Sequence, residues 1–381
     1  MKILQVIQFV SRMMGGSSIA VCELSKNLVR LGNEVTVCTS DYAYDQEYAG
    51  RLTGVEIVKF KSFGGKLRYT PGMGAWLKQN IKNYDVIQLN NYWSYQNIIA
   101  MRCAVTAGVP YVFCAHGSLP IHFGSYLMKM IFDKTYGRQI LCNAAGVVAI
   151  APMEQAQMIK RGIGRNLIHI VPNGIKAPED VGLSGEEIRR QYGIKENERI
   201  VLFLGRIHKI KGVDLLVEAF NNVQKVRKDL RLMIVGPDDG HLDFVRSMID
   251  RYNLSEKVLI VGPLFGKKKY QAYKSAAIYV LPSRYEMFGS TILEACSCGT
   301  PVIITDTCGI KDVIQDFCGE VIPFDISALE KAIISLLDND GLRKEYGNNG
   351  YKMVREQYSW DKIAKLYESV YIEVTSSKRP F

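Results

Sequence analysis

Short apolar runs alternate with amphipathic stretches along most of this chain. In the first half, the runs that predict β-strands lie at residues 2–7, 34–40, 55–60, 85–90, 111–116 and 146–150. Between the first two runs, residues 17–32 place apolar side chains every three or four positions and end at Gly32, which predicts an amphipathic helix. Strands that alternate with helices pair in parallel, so the pattern predicts a doubly wound α/β sheet.

The alternation restarts after a Pro- and Gly-rich segment at residues 171–180. Residues 212–226 have helical periodicity, and further strand runs lie at 199–205, 230–236, 257–262, 276–283, 300–305 and 319–323. This second series predicts another α/β domain of similar size, with the boundary near residues 172–180. Ligands of such open sheets bind at the carboxyl ends of the strands, so we expect the chemistry in the βα loops of both halves.

Composition and charge narrow the class of protein. The 381 residues are 48% apolar and 23% charged, as in a soluble globular protein of two or three domains. No apolar run approaches the ~18 residues of a membrane-spanning helix. The opening "MKILQVIQFV" is interrupted by Gln5 and Gln8 and lacks a following small-residue cleavage site, so we interpret it as a strand and not a signal peptide.

The net charge of +10 favours an anionic partner, such as nucleotide phosphates, acidic lipid or nucleic acid. The nine cysteines lack the paired spacing of a metal site. We therefore predict reduced, buried thiols in a cytosolic protein, including the lone Cys-x-Cys at Cys296 and Cys298.

Two βα loops carry anion-binding features. In "SRMMGGSSIA" (residues 11–20), Gly15 and Gly16 precede a helix with Ser17 and Ser18 at capping positions, so backbone N–H groups could cradle an anion. A plain tight turn explains this loop equally well, since the dinucleotide spacing of glycines is missing. In "FLGRIHKIKGVDLL" (203–216), Arg206 and Lys211 precede a helix and suit a diphosphate, with a solvated basic loop as the alternative.

A third loop, "SRYEMFGSTILEACSCGTP" (283–301), combines a helix start with two carboxylates. Backbone N–H groups near Gly289, Ser290 and Thr291 can bind phosphate oxygens. Carboxylates beside an anion must bind something else, and hydroxyl groups suit them. We expect Glu286 to hold sugar hydroxyls and Glu294 the ribose diol, although a helix with one terminal charge and a solvated face is the simpler alternative.

These motifs, in this order, resemble those of the retaining nucleotide-sugar glycosyltransferases of family 4. The resemblance rests on the Gly-Gly loop, the His116–Gly117 pair, residues 205–212 and residues 282–303, with "VPNGI" at 171–175 as the hinge. It implies the GT-B fold, an α/β arrangement of two Rossmann-like, doubly wound parallel-sheet domains facing across a cleft. The domains would be an acceptor-binding one (1–172 plus a crossover helix in 360–381) and a nucleotide-sugar-binding one (173–359).

The resemblance also implies residue roles. Glu294 would bind ribose hydroxyls and Glu286 the donor sugar near its 3-hydroxyl. Arg206 and Lys211 would neutralise the departing diphosphate, and Gly16 would approach it from the amino-terminal domain. His116 would lie at the reaction centre. The set that would lend backbone N–H groups to sugar or diphosphate is Phe288, Gly289, Ser290 and Thr291.

We expect no cofactor and no metal. The chain has one Asp-x-Asp spacing, at Asp338 and Asp340, which we interpret as a helix end, a turn and the cap of the next helix. Cations and helix N-termini can stabilise the leaving group instead. No acidic residue of the amino-terminal motifs clearly offers a nucleophile for double displacement. The resemblance implies front-face attack, with the leaving phosphate taking the acceptor's proton.

The acceptor is expected to be lipid-linked. Residues 59–83 mix lysines, Lys66 among them, with aromatic side chains, and residues 118–138 are basic, aromatic and methionine-rich. Such stretches suit an anionic membrane surface, although ordinary loops on a basic protein explain them as well. We expect a cytoplasmic enzyme, peripheral on the inner face of the membrane, acting on a polyprenyl-diphosphate-linked sugar or other glycan in polysaccharide or glycolipid synthesis.

Two other functions compete. A nucleotide-sugar epimerase can share the two-domain scaffold, but that family lacks the "EMFGSTILE" arrangement. A non-catalytic nucleotide or nucleic-acid binder would also use the positive charge, but the chain shows no base-stacking motif or basic recognition helix, and we expect no nucleic-acid partner. The sequence leaves open whether the donor carries UDP or GDP.

Overall fold

The structure is a computed structural model that describes residues 1–64, 68–120, 126–178 and 183–377. It divides into two compact units, one of Met1–Gly174 with Trp360–Phe381 and one of Ile175–Ser359. The sequence-based boundaries lie at 172/173 and 359/360. Lys66, residues 121–125 of the basic stretch and residues 179–180 of the hinge segment lie outside the described residues.

The first unit is built on a parallel sheet of seven strands in the order β3-β2-β1-β4-β5-β6-β7. Its strands are β1 (Lys2–Val6), β2 (Glu34–Ser40), β3 (Val55–Phe60), β4 (Val86–Asn90), β5 (Tyr111–Cys114), β6 (Gly146–Ala149) and β7 (Ile168–Ile170). All six predicted strands are present. The additional strand, β7, is a three-residue edge strand in which only Ile168 is buried, so it has no extended apolar run to predict it.

Helices cover this sheet, as parallel strands with two buried faces require. They are α1 (Gly16–Arg30), α2 (Gln46–Ala49), α3 (Pro71–Asn80), α4 (Tyr95–Ala107), α5 (Tyr126–Phe132), α6 (Arg138–Cys142) and α7 (Pro152–Lys160). A π-helical turn, Asp133–Gly137, joins α5 to α6. Strands β4, β5 and β6 are buried at every position, which explains their continuous apolar runs.

The second unit has a parallel sheet of six strands in the order β10-β9-β8-β11-β12-β13. Its strands, all predicted, are β8 (Arg199–Leu204), β9 (Leu230–Val235), β10 (Val258–Gly262), β11 (Ile278–Leu281), β12 (Val302–Thr305) and β13 (Gly319–Ile322). Its helices are α8 (Glu186–Gln191), α9 (Val213–Val226), α10 (Leu242–Arg251), α11 (Gly266–Ser275), α12 (Ser290–Ser297), α13 (Lys311–Ile314), α14 (Ile326–Asp338) and α15 (Asp340–Gln357).

The last helix, α16 (Trp360–Ser376), belongs to the first unit and packs on α1. At its start, the Trp360 indole packs against Gly174. A Cβ added to Gly174 would lie 2.4 Å from that indole. Tyr367 and Tyr371 on α16 are fully buried. The helix therefore ties the carboxyl-terminal end of the chain into the core of the amino-terminal sheet.

The Asp338–Asp340 segment has the predicted structure. α14 ends at Asp338, the Asn339 side chain accepts a hydrogen bond from the Leu342 backbone N–H at 2.9 Å, and α15 begins at Asp340.

The thiol prediction needs one correction: eight cysteines are buried, but Cys142 at the end of α6 is exposed. Among the described residues, no helix has the length and apolar character to cross a bilayer.

Candidate active site

The loops after β8 and β11 meet at the carboxyl edge of the second sheet, because these two strands are parallel neighbours. The Arg284 backbone N–H donates to the Ile210 carbonyl at 2.7 Å and joins the two loops. Gly212 has φ = 69°, and a Cβ there would lie 1.8 Å from the Pro282 carbonyl oxygen. Only glycine fits this close approach.

Lys211 and Glu286 form the ion pair at the centre of this edge. The Lys211 ammonium contacts Glu286 Oε2, and each side chain is only 15% exposed. Partial burial strengthens the attraction, since fewer water molecules screen it. The structure thus brings one predicted phosphate-binding cation into contact with one predicted sugar-binding carboxylate.

Arg206 lies at the end of β8 and is half exposed. Its guanidinium pairs with Asp239, from the loop between β9 and α10. Arg206 and Lys211 therefore each have a carboxylate partner in the structure, Asp239 and Glu286 respectively. An exposed pair such as Arg206–Asp239 is weak, so a polyanion can displace Asp239 at little cost.

Helix α12 begins at the same edge, and no side chain of residues 1–64, 68–120, 126–178 or 183–377 caps its start. Gly289 caps it with φ = 68°, and a Cβ there would lie 2.5 Å from Ile292 Cδ1. The backbone N–H groups of the first turn, at Ser290 and Thr291, are the donors that a helix leaves without an intrahelical partner. The Phe288 side chain is buried, so its proposed contribution is confined to the backbone.

Glu294 lies farther along α12 and is held by two partners from α11. Its Oε1 lies 2.6 Å from Lys269 Nζ, and its Oε2 accepts a hydrogen bond from the Tyr273 hydroxyl at 3.1 Å. The carboxylate is 16% exposed. Sequence reasoning missed both partners, because α11 is rich in lysine and has the pattern of a solvated helix.

The Gly-Gly loop lies at the start of α1 in the first unit. Gly15, with φ = 104°, is the cap residue of the helix, and a Cβ on Gly15 or Gly16 would meet no atom of the described residues within 4 Å. Ser18 does not cap α1: its hydroxyl accepts from the Ser11 backbone N–H at 2.8 Å. The predicted serine cap is therefore wrong, and no side chain in the described part of the chain caps the first backbone N–H groups of α1.

His116 follows β5 and adopts the left-handed conformation, with φ = 51°. Its Nε2 lies 2.9 Å from Asn90 Oδ1, and its buried Nδ1 has no partner among the described residues. Burial lowers the pKa of His116 to about 4, so the imidazole is neutral at neutral pH. A non-glycine residue in this conformation is costly and marks a constrained site.

Glu154 holds the next residue and was missed by sequence reasoning. It is fully buried on α7, where Oε1 accepts from the Gly117 backbone N–H at 2.6 Å and Oε2 from that of Ile150 at 2.8 Å. Burial raises the pKa of Glu154 to about 7. In the sequence it follows Pro152 as an ordinary acid in a first helical turn, and its tertiary contact leaves no local signal.

Glu154 should make folding stability depend on pH. Its folded pKa lies above the ordinary value of 4.5, so its contribution is complete below about pH 4.5 and is lost as the pH rises through about 7. We expect the free energy of unfolding to fall by about 3 kcal/mol more in the wild type than in Glu154→Gln over that range. Chemical denaturation at several pH values measures this difference. The exposed Glu34→Gln serves as the control and should follow the wild type.

The candidate residues fall into two groups. Gly16 and His116 lie in the first unit, and Arg206, Lys211, Glu286, Glu294 and residues 288–291 lie at one edge of the second. Within residues 1–64, 68–120, 126–178 and 183–377, no group of three His, Cys, Asp or Glu side chains could hold a metal ion.

Two family models match the chain. The model described as "Glycosyltransferase Family 4" covers residues 14–177, and that described as "Glycosyl transferases group 1" covers residues 184–353. An uncharacterized glycosyltransferase of Methanocaldococcus jannaschii is 28% identical, over 97% of this chain and 98% of its own. A D-inositol 3-phosphate glycosyltransferase of Xylanimonas cellulosilytica is 25% identical, over 96% of this chain and 93% of its own.

Solved structures agree on the fold. Anabaena Alr3699/HepE, in complex with UDP and glucose, is similar with a TM-score of 0.81 and 19% identity, over 98% of this chain and 100% of that one. The same assignment is supported by the two parallel sheets, by the two family models and by relatives matched over nearly their whole length. The chain belongs to the glycosyltransferases of the GT-B fold, with a family 4 domain in its amino-terminal half and a group 1 domain in its carboxyl-terminal half.

Proposed function

We propose that this glycosyltransferase moves a sugar from a nucleoside-diphosphate sugar to a hydroxyl of a glycan acceptor, with retention of anomeric configuration and without a metal ion. The observation that carries the proposal is the contact of Lys211 with Glu286 beside the uncapped start of α12. This partly buried site thus offers a cation and backbone N–H groups for a diphosphate, and a carboxylate for sugar hydroxyls.

In this proposal the diphosphate displaces Asp239 from Arg206 and shares Lys211 with Glu286. The first backbone N–H groups of α12 donate to its oxygens. Glu286 accepts hydrogen bonds from the sugar, and Glu294 accepts them from the ribose. The complex of the similar Anabaena protein with UDP and glucose supports a donor of this class, and UDP and GDP both remain candidates.

The proposed chemistry is departure of the diphosphate as its growing charge meets Lys211 and Arg206. The acceptor hydroxyl attacks from the same face, and its proton passes to the leaving phosphate oxygen. Retention by double displacement would need a free carboxylate as nucleophile. Glu154, the carboxylate bound to the His116 loop, is fully buried and engaged with two backbone N–H groups, which supports the front-face route.

A release assay tests the proposal. The protein is mixed with a panel of UDP- and GDP-sugars and an acceptor extract, with excess chelator, and nucleoside diphosphate is measured. We expect release that persists in chelator and falls about 100-fold or more in Glu286→Ala. Arg206→Ala should lower kcat about tenfold while KM for the donor changes little. Interconversion of the donor sugar without diphosphate release would contradict transfer and indicate an epimerase.

We further propose that the enzyme binds an anionic membrane surface through α5 and takes a lipid-linked acceptor there. Four large apolar side chains of α5 are 53–67% exposed: Tyr126, Leu127, Met128 and Ile131. Exposed Lys134 and Arg138 follow, and the nearby Asp133 is paired with Arg161. Apolar side chains beside exposed cations suit the headgroup region of an acidic bilayer.

The other basic stretch, residues 59–83, gives less support to membrane binding. Phe60 and Trp76 pack on each other and on the core, with ring centroids 6.0 Å apart. Lys59 lies over the Tyr44 ring at 4.4 Å and Lys61 over Phe63 at 5.4 Å. Several of its aromatic and basic side chains thus contact the protein itself, so the membrane proposal depends on α5.

Vesicle co-sedimentation tests this surface. Leu127→Glu and Ile131→Glu should each weaken binding to vesicles rich in phosphatidylglycerol about tenfold, because each exposed aliphatic side chain contributes about 1.5–3 kcal/mol on burial. Neutral vesicles should bind much less. Val226→Glu is the matched control, since Val226 is an apolar residue of α9 that is 70% exposed. Equal binding by all variants would contradict the proposal.

A further inference from the structure

A closed ring of hydrogen bonds lies beneath His116, in the core of the first unit. Gln5 Nε2 donates to the Tyr371 hydroxyl at 3.2 Å, and that hydroxyl donates to Gln88 Oε1. Gln88 Nε2 donates to Asn90 Oδ1 at 2.8 Å, and Asn90 Nδ2 donates to Gln5 Oε1 at 3.0 Å. All four side chains are fully buried. Each member donates to the next, so the ring has a direction.

Two backbone carbonyls determine that direction. Asn90 Nδ2 also lies 3.2 Å from the Val6 carbonyl oxygen and 3.4 Å from that of Gln88. A carbonyl oxygen only accepts hydrogen bonds, so the nitrogen of the Asn90 amide must face it. A reversed Asn90 amide would place its oxygen against two acceptors in a buried site, which is costly. Asn90 Oδ1 therefore faces Gln88 and His116.

The orientation of Asn90 decides the protonation of His116. The imidazole Nε2 lies 2.9 Å from Asn90 Oδ1, an atom that can only accept, so Nε2 must carry the hydrogen. The buried Nδ1 then holds a lone pair with no donor to it among the described residues. We infer that the ring of Gln5, Gln88, Asn90 and Tyr371 sets His116 in the Nε2–H tautomer and presents Nδ1 as a hydrogen-bond acceptor.

This inference deepens the proposed function. The role of Nδ1 rests on that function, in which Nδ1 would accept a hydrogen bond from a substrate hydroxyl. Asn90 and Tyr371 are then positioning residues, because they act only through His116. Tyr371 lies on α16, so the last helix of the chain helps to orient a residue of the β5 loop. If the Tyr371 hydroxyl is removed, Gln88 Oε1 loses its donor and Gln5 Nε2 loses its acceptor.

The tautomer can be measured without any substrate. The full-length protein is labelled with ¹⁵N-histidine, and the His116 signals are assigned by their absence in His116→Gln. We expect a pyridine-like Nδ1 and a pyrrole-like Nε2, with shifts unchanged between about pH 8 and about pH 6. In Asn90→Leu, which removes the acceptor for Nε2, we expect a mixture of tautomers. A protonated Nδ1 in the wild type would overturn the inference, whatever the enzyme's activity proves to be.

Kinetics test the positioning role. We expect Tyr371→Phe and Asn90→Leu to lower kcat about tenfold, the usual loss for one misplaced hydrogen bond, with the Kd of nucleoside diphosphate unchanged. Tyr367→Phe is the matched control, since Tyr367 is a fully buried tyrosine of the same helix whose hydroxyl contacts Cys114 Sγ at 3.7 Å, outside the ring. A Tyr371→Phe enzyme as fast as the control, with nucleotide binding intact, would overturn the role of the ring.

Discussion

Replacing Lys211 with methionine is expected to lower kcat about 100- to 1,000-fold, with a smaller change in KM for the donor. Its ammonium contacts Glu286 at the edge where we place the diphosphate, and both side chains are largely buried. Charge grows on the leaving group in the transition state, so a fixed cation contributes more there than in the ground state. Steady-state kinetics with varied nucleotide sugar separate the two parameters.

The same substitution leaves Glu286 without its partner, so stability must be followed alongside activity. We expect Lys211→Met to lower the free energy of unfolding by about 1–3 kcal/mol. Lys211→Met combined with Glu286→Gln removes both charges and should recover most of that stability, but no activity. Recovery of activity in the double variant would mean that Lys211 serves only to neutralise Glu286.

Replacing Glu294 with glutamine is expected to weaken binding of a nucleoside diphosphate about 10- to 100-fold. A hydrogen bond to a charged group is worth about 1.5–3 kcal/mol, and the amide loses that charge. The loss should depend on the ribose hydroxyls. Wild-type protein should bind UDP or GDP more tightly than the corresponding 2′,3′-dideoxy nucleotide, and Glu294→Gln should bind the two almost equally, as measured by calorimetry.

Lys269 and Tyr273 offer a control for this experiment. Both hold Glu294, at 2.6 and 3.1 Å, but neither is proposed to contact the nucleotide. Tyr273→Phe should therefore keep the preference for ribose over dideoxyribose while lowering affinity for both ligands slightly. A Glu294→Gln protein that retains the full preference would remove Glu294 from the ribose site.

The sheets were predictable because parallel strands with two buried faces must be apolar throughout. The runs at β8 and β11 also indicated where the chemistry lies, since the motifs with Arg206 and Glu286 follow them directly. Strand β7, which the pattern did not predict, is too short and too exposed to have an extended apolar run. Sequence periodicity therefore predicted the scaffold and the loops that follow it.

The partners of the site residues were not predictable. Asp239 pairs with Arg206, Lys269 with Glu294 and Glu154 with Gly117, and in each case the partner comes from a distant part of the chain. Such contacts depend on tertiary geometry and leave no local spacing to detect. The ring beneath His116 is the extreme case, because Tyr371 and Gln5 are 366 positions apart.

A crystal structure of the enzyme with a nucleoside-diphosphate sugar is the decisive test of this site. We predict the diphosphate within hydrogen-bond distance of Lys211 Nζ and the Arg206 guanidinium, with Asp239 released from Arg206. We also predict the first backbone N–H groups of α12 on the phosphate oxygens, Glu286 on a sugar hydroxyl and Glu294 on the ribose diol. A nucleotide bound away from the carboxyl ends of β8 and β11, with the Lys211–Glu286 and Arg206–Asp239 pairs untouched, would refute this assignment.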